Sequence, residues 1–263
     1  MYIQFSRLIA ISLVALSTLS ACATSPTGRP QVLLFSAGDM SQLGAQSFAE
    51  LKKQEKINLD ENINQYVQCV AQAITSRLTP DPKFSKWEVV VFDSKQVNAF
   101  ALPGGKIGVY QGLLDVASNQ DQLATVIGHE IGHVIAQHGN ERMSRSQLAD
   151  AGLQLSNSVL SGNEYQGIAM AGLGLGVQYG ILMPYGRTDE SEADIIGLRL
   201  MAEAGFDPKQ SVELWKNMAK ASGGNQPPEL LSTHPSHSTR IDELQKEIAK
   251  LPTTSVRRVN CKM

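Results

Sequence analysis

The stretch from Leu123 to Val134 constrains this chain more than any other. Apolar side chains recur at Leu123, Val126, Ile127, Ile131 and Val134, a helical spacing that puts the segment in a core. Into that core are set His129, Glu130 and His133, flanked by Gly128 and Gly132. Residues four apart share a helix face, so both imidazoles can meet one metal ion, and the H-E-x-x-H spacing leaves Glu130 in reach of a water there. A buried His-Glu-His set without a metal is hard to satisfy. Each glycine costs about 1 kcal/mol in mid-helix relative to alanine. Small residues beside the ligands make sense where a second element must approach closely.

A catalytic zinc takes three protein ligands and keeps one position open. His138 lies nine residues past His129. On one continuous helix, predicted from about Asn119 to Arg145, that spacing turns it away from the metal. A better source is the acidic helix opening near Thr188, with Asp189, Glu190, Glu192 and Asp194. There Glu190 and Asp194 share a face and Glu192 points nearly opposite. Acids in a first turn also suit the helix dipole, which explains a cluster without explaining its position.

The rest of the chain reads as one domain, α+β and mostly helical. Its 263 residues can bury a core unaided. A formal charge of −2 and the lack of a basic stripe exclude a nucleic-acid surface. Asp39–Ile57 and Asp60–Leu78 are predicted helices, the second capped by Asp60. Trp87–Phe92, Val97–Leu102 and Lys106–Tyr110 are predicted strands, the last two joined through Pro103, Gly104 and Gly105. Asp207 and Pro208 open another helix, residues 222–237 form a loop, and a final helix runs from about Ser238 to Lys250. Gly167–Met183, with five glycines, reads as a buried or flexible helix rather than a membrane span.

The first 21 residues read as a signal peptide: Arg7 before an apolar run from Leu8 to Leu19 that is too short to cross a bilayer. Leu19, Ser20, Ala21 and Cys22 resemble a bacterial lipobox, in which Cys22 carries the lipid. Cleavage after Ala23 of a plain secretory signal is the alternative reading. Residues 22–36 then read as a lipid-anchored tether, 37–251 as the folded domain and 252–263 as a tail. Export to an oxidising compartment leaves Cys69 and Cys261 either bridged, or one buried and one free.

Four motifs in order make a family resemblance specific: residues 98–105, from Asn98 through Phe100 to Gly105; Gly128 with the H-E-x-x-H core; Glu190 with Ala193 and Asp194; and His234, Pro235 and Arg240. Together they resemble the HtpX-like family of zinc metallopeptidases, most of all its LoiP-like branch of envelope lipoproteins. The resemblance implies one Zn2+ per chain, with Glu190 as third ligand beside His129 and His133. It makes Asp194 a partner of a ligating histidine, and implies a zincin-type domain whose edge strand, near residues 97–102, pairs with substrate backbone. Glu130 would be the general base, and His234, Arg240 and Tyr185 are candidate donors to the oxyanion. His234 could instead occupy the open metal position as a latch. His237 has no such support.

The expected function is a metalloendopeptidase acting on misfolded or misassembled envelope proteins at the periplasmic face of the outer membrane. Outer-membrane assembly machinery is a candidate partner. A chaperone or assembly factor using the same groove without cutting is the alternative. A purely structural zinc is disfavoured, because such sites usually close with four protein ligands, often cysteines.

Overall fold

The computed structural model describes residues 22–79, 86–160, 185–221, 234, 239–252 and 258–262. The expected signal peptide, the glycine-rich stretch 167–183 and most of loop 222–237, including Pro235 and His237, lie outside them. The described residues form two compact units.

The larger unit comprises the described residues within 37–138 and 185–262. Helix α1 spans Ala37–Gln54 and α2 spans Glu61–Thr75. Asp60 caps α2 by accepting from the backbone N–H of Asn62 and Ile63, and Val67, Val70, Ala71 and Ile74 bury its apolar face. Strands β3 (Glu88–Phe92), β4 (Ala99–Leu102) and β5 (Lys106–Tyr110) form a sheet in the order β3-β5-β4. β3 runs parallel to β5, and β4 is its antiparallel hairpin partner, with Leu102 opposite Lys106 and Ala99 opposite Val109. Gly104 and Gly105 make the hairpin turn at φ 81° and 76°, where a side chain would be strained. β4 is therefore an edge strand, as expected, and it packs along α3.

Helix α3 spans Gln120–Ile135 after a short 3-10 helix (Gln111–Asp115). Asn119 caps it through Asp121 N–H and Gln122 N–H, and Gln122 reaches back to the N–H of Ser118. From Asp121 to Val134 every residue is buried. Helix α5 (Arg187–Glu203) lies against it at glycine distance. A Cβ on Gly128 would come within 2.9 Å of the Gly197 carbonyl, and one on Gly132 within 2.8 Å of the Ala193 carbonyl. The glycines beside the histidines thus admit the acidic helix. Helices α6 (Gln210–Ala221) and α7 (Arg240–Lys250) complete the core, which joins Leu123, Ile127 and Ile131 to Leu198, Met201, Leu214 and Leu244. A disulfide joins Cys69 on α2 to Cys261 in the tail, and Cys261 N–H donates to Gln120 at the start of α3.

The single long helix predicted over 119–145 is two helices. Gln137 takes the left-handed conformation, φ 56°, which ends α3 and lets α4 (His138–Leu160) start afresh. Helical phase counted from His129 therefore does not apply to His138.

The smaller unit contains, among the described residues, 22–36 and 139–160. Residues 22–36, read as a tether from composition, carry an antiparallel hairpin of β1 (Cys22–Thr24) and β2 (Pro30–Val32). Arg29 holds Glu141 with two bonds, 2.8 and 2.6 Å, and Gln31 adds a third at 2.8 Å. The N–H of Leu34 donates to Ser144, and the Asn140 amide donates to the Phe35 carbonyl. Burial pushes the Glu141 carboxyl up, but the Arg29 and Gln31 bonds outweigh it and hold it below the usual range. Among the described residues no helix is long and apolar enough to cross a membrane.

Candidate metal centre

His129 and His133 project from one face of α3 and turn their Nε2 atoms toward each other, 3.0 Å apart. Glu190, on the first turn of α5, completes the approach: its carboxylate oxygens lie 3.4 Å from each of those nitrogens. His234 enters from outside the helices, with Nδ1 3.2 Å from His129 Nε2 and 2.9 Å from Glu190. All four side chains are buried, and their donor atoms lie within 4.8 Å of one another. Ligand bonds of about 2.0–2.1 Å in a tetrahedron imply edges of about 3.3 Å, close to these separations. Three imidazole nitrogens and one carboxylate form a donor set that suits zinc. The set fits a metal ion.

The electrostatics agree. Burial disfavours a charge on His129, yet Asp194 and Glu190 beside it prevail and raise it to about 9. Burial holds His133 well below the ordinary imidazole value, and Glu190 only partly opposes it. Burial pulls Glu190 up, but hydrogen bonds from the three histidines drive it far down. The two buried carboxylates favour positive charge beside them, which Arg240 and a proton on His129 supply together.

Behind His129, its Nδ1 is 2.9 Å from Asp194, which Arg240 engages at 2.6 Å. Arg240 also donates to Glu190 at 3.2 Å and stacks on Trp215 at 3.5 Å. It is 1% exposed and engages both carboxylates within the buried network. Asp194 stays ionised: burial raises it, and Arg240 more than offsets that.

Glu130 faces the other way, toward β4. Burial raises its pKa, against lowering by His234, His129 and the backbone N–H of Ala101 on the edge strand. Its Oε1 is buried with no hydrogen-bond partner among the described residues, 3.4 Å from His234 Nε2. Tyr185 lies half-buried over the cluster, its ring 4.2 Å from that of His133.

One sequence reading fails here. His138 does not face elsewhere: after the break at Gln137 its Nδ1 returns to 2.8 Å from His133 Nδ1. Glu192 points away from the cluster as expected and is buried there, 3.1 Å from His138 Nε2. Nothing local marks Gln137 as left-handed, so helical counting misplaced His138. Glu192 points toward the start of α4.

Fold and site together define a zincin-type metal site: a buried H-E-x-x-H helix, with a carboxylate from α5, beside the strand that edges a small sheet among the described residues. Residues 59–248 match the profile of peptidase family M48, and the chain belongs to that family. The mitochondrial metalloendopeptidase OMA1 of Schizosaccharomyces pombe is 35% identical over 181 residues, covering 66% of this chain and 49% of that protein. Its counterpart in Danio rerio is 32% identical over 84% of this chain and 49% of its own length. The beta-barrel assembly-enhancing protease of Escherichia coli K12 is 25% identical over 92% of this chain and 52% of that protein. The chain spans about half the length of these relatives.

Proposed function

We propose that the chain is a zinc-dependent endopeptidase of the bacterial cell envelope that cuts misfolded or misassembled proteins. The observation that carries this reading is the convergence of His129, His133 and Glu190 on one point beside Glu130 and the edge strand β4. In this reading those three residues hold the ion. When bound, zinc supplies Lewis acidity, which activates water near neutral pH and polarises a peptide carbonyl. An extended substrate adds its backbone to the outer edge of β4. Glu130 takes a proton from the attacking water and returns it to the leaving amine. Its burial-raised pKa suits both steps, because it can hold the proton between them. Arg240 and Asp194 keep His129 and Glu190 oriented.

Glu130→Gln should lower casein cleavage by roughly 10²–10⁴-fold while zinc content stays at one per chain. Unchanged cleavage would sink the mechanism. Suppression of aggregation that survives Glu130→Gln, with no cutting in the wild type, would favour the chaperone alternative.

His234 contributes a fourth donor, and we read it as a resting-state occupant of the position where substrate would enter. His234→Ala should then raise casein and self-cleavage at equal zinc content. A drop of about a hundredfold would instead make it an oxyanion donor. The envelope setting rests on the lipobox at Cys22 and on the bacterial relative's name. Attachment at the periplasmic face of the outer membrane follows from Ala23, where an Asp would signal inner-membrane retention. Cys22→Ser should release the protein from that membrane, and unchanged fractionation would remove the lipid anchor from this account.

A further inference from the structure

His138 and Glu192 take no part in holding the ion or moving the proton, yet both are almost fully buried, His138 against a proposed ligand and Glu192 against His138. His133 presents Nε2 to the cluster, 3.0 Å from His129 Nε2, and turns Nδ1 to His138 Nδ1 at 2.8 Å. On the opposite side of the His138 ring, Nε2 is 3.1 Å from Glu192 Oε2. The side chains of His133, His138 and Glu192 are only 4%, 0% and 3% exposed, so water does not readily replace either hydrogen bond.

Proton bookkeeping along this line has one consistent solution when His133 Nε2 binds a metal. A ligating nitrogen carries no proton, so neutral His133 carries its own on Nδ1 and donates it. His138 must then accept at Nδ1, which places its own proton on Nε2. Glu192, an acceptor only when ionised, takes that hydrogen bond. The opposite order, with His138 donating from Nδ1, would force the His133 proton onto Nε2 and abolish its lone pair toward the ion. A carboxylate two hydrogen bonds away thus selects the metal-binding tautomer of His133.

We infer that Glu192 and His138 form a positioning relay that fixes the tautomer and ring orientation of His133 for metal binding. This rests on the reading of His133 as a ligand. The relay depends on the left-handed Gln137, which breaks the helix and returns His138 to the ring it supports. Glu190, Glu192 and Asp194 on one helix would then serve three distinct roles: ligand, relay terminus and direct partner of His129.

Zinc affinity of the full chain, measured by competition with a chromophoric chelator, tests the relay. His138→Phe keeps the ring volume without hydrogen bonds, and Glu192→Leu removes the terminal acceptor. Each should weaken zinc binding by roughly 10–100-fold. His138→Gln, whose carbonyl can accept from His133 while its amide donates to Glu192, should stay within about threefold of wild type. A role in packing alone would reverse that order, since Phe fills the space better than Gln. If these variants do not fold, the wild type decides. Long-range 1H–15N correlations of the zinc-loaded, 15N-histidine-labelled chain should place the His138 proton on Nε2 alone and the His133 proton on Nδ1. A His138 proton on Nδ1, or wild-type affinity in both His138→Phe and Glu192→Leu, overturns the relay. Zinc retained by His133→Ala overturns the ligand assignment itself. Zinc lost in His133→Ala but held normally by both His138→Phe and Glu192→Leu overturns the relay alone.

Discussion

His129 and His133 sit one helical turn apart and offer the same ring nitrogen to the same point, but the protein holds them differently. His129 leans directly on a carboxylate, Asp194, and that carboxylate is matched by Arg240, which also grips Glu190 and stacks on Trp215. His133 is held through a second imidazole, which ends on Glu192. One side is braced by a buried ionic network that draws α3, α5 and α7 together. The other depends on a backbone irregularity that returns His138 to the site. The difference separates two tasks: the ionic side holds helices and ligand together, whereas the relay side sets a proton position.

The largest expected effect lies on the ionic side. Arg240→Met leaves Glu190 and Asp194 buried without their guanidinium and should cost about 3–5 kcal/mol of stability in urea denaturation of the metal-free chain. His138→Gln, measured alongside, should cost far less. Equal losses in the two variants would erase the distinction drawn here. Next in size is Asp194→Asn, which keeps an acceptor for His129 but loses the charge paired with Arg240. Its zinc affinity should fall by roughly 10–100-fold. A smaller fall than in Glu192→Leu would make the relay side dominant for metal as well.

The smallest effect concerns how tightly the helices meet at each histidine. A Cβ on Gly197 would stand 2.6 Å from the His129 backbone nitrogen, with Gly128 backbone atoms at 2.7 and 2.9 Å. On Gly132, beside His133, the nearest atom is 2.8 Å away and the next 3.2 Å. Overpacking costs about 1–3 kcal/mol, and the better helix propensity of alanine returns up to about 1 kcal/mol. Gly197→Ala should therefore lose a net 1–2 kcal/mol or so, and Gly132→Ala less. The reverse order, read from thermal midpoints, would place the tighter contact at His133.

The sequence alone determined what depends on short, unbroken spacing. His129 and His133 share a face because both lie inside α3, and their flanking glycines announced the close approach that α5 makes. Asp60 and Asn119 marked their helix starts because capping is a matter of two or three residues. Gly104 and Gly105 marked the hairpin turn, whereas the edge position of β4 was implied by the family resemblance. Glu190 and Asp194 were assigned by resemblance in motif order, since spacing cannot say where a helix packs some sixty residues on. Only the tertiary structure decided that Cys69 meets Cys261 across 192 residues, that Arg240 lies behind the carboxylates, and that Arg29 and Gln31 tie a hairpin to Glu141 in what composition read as a tether. It also decided the place of His138. Side-chain direction propagates along a helix only while its hydrogen-bond ladder is continuous, and one left-handed residue, Gln137, ends that continuity with no sequence mark of its own.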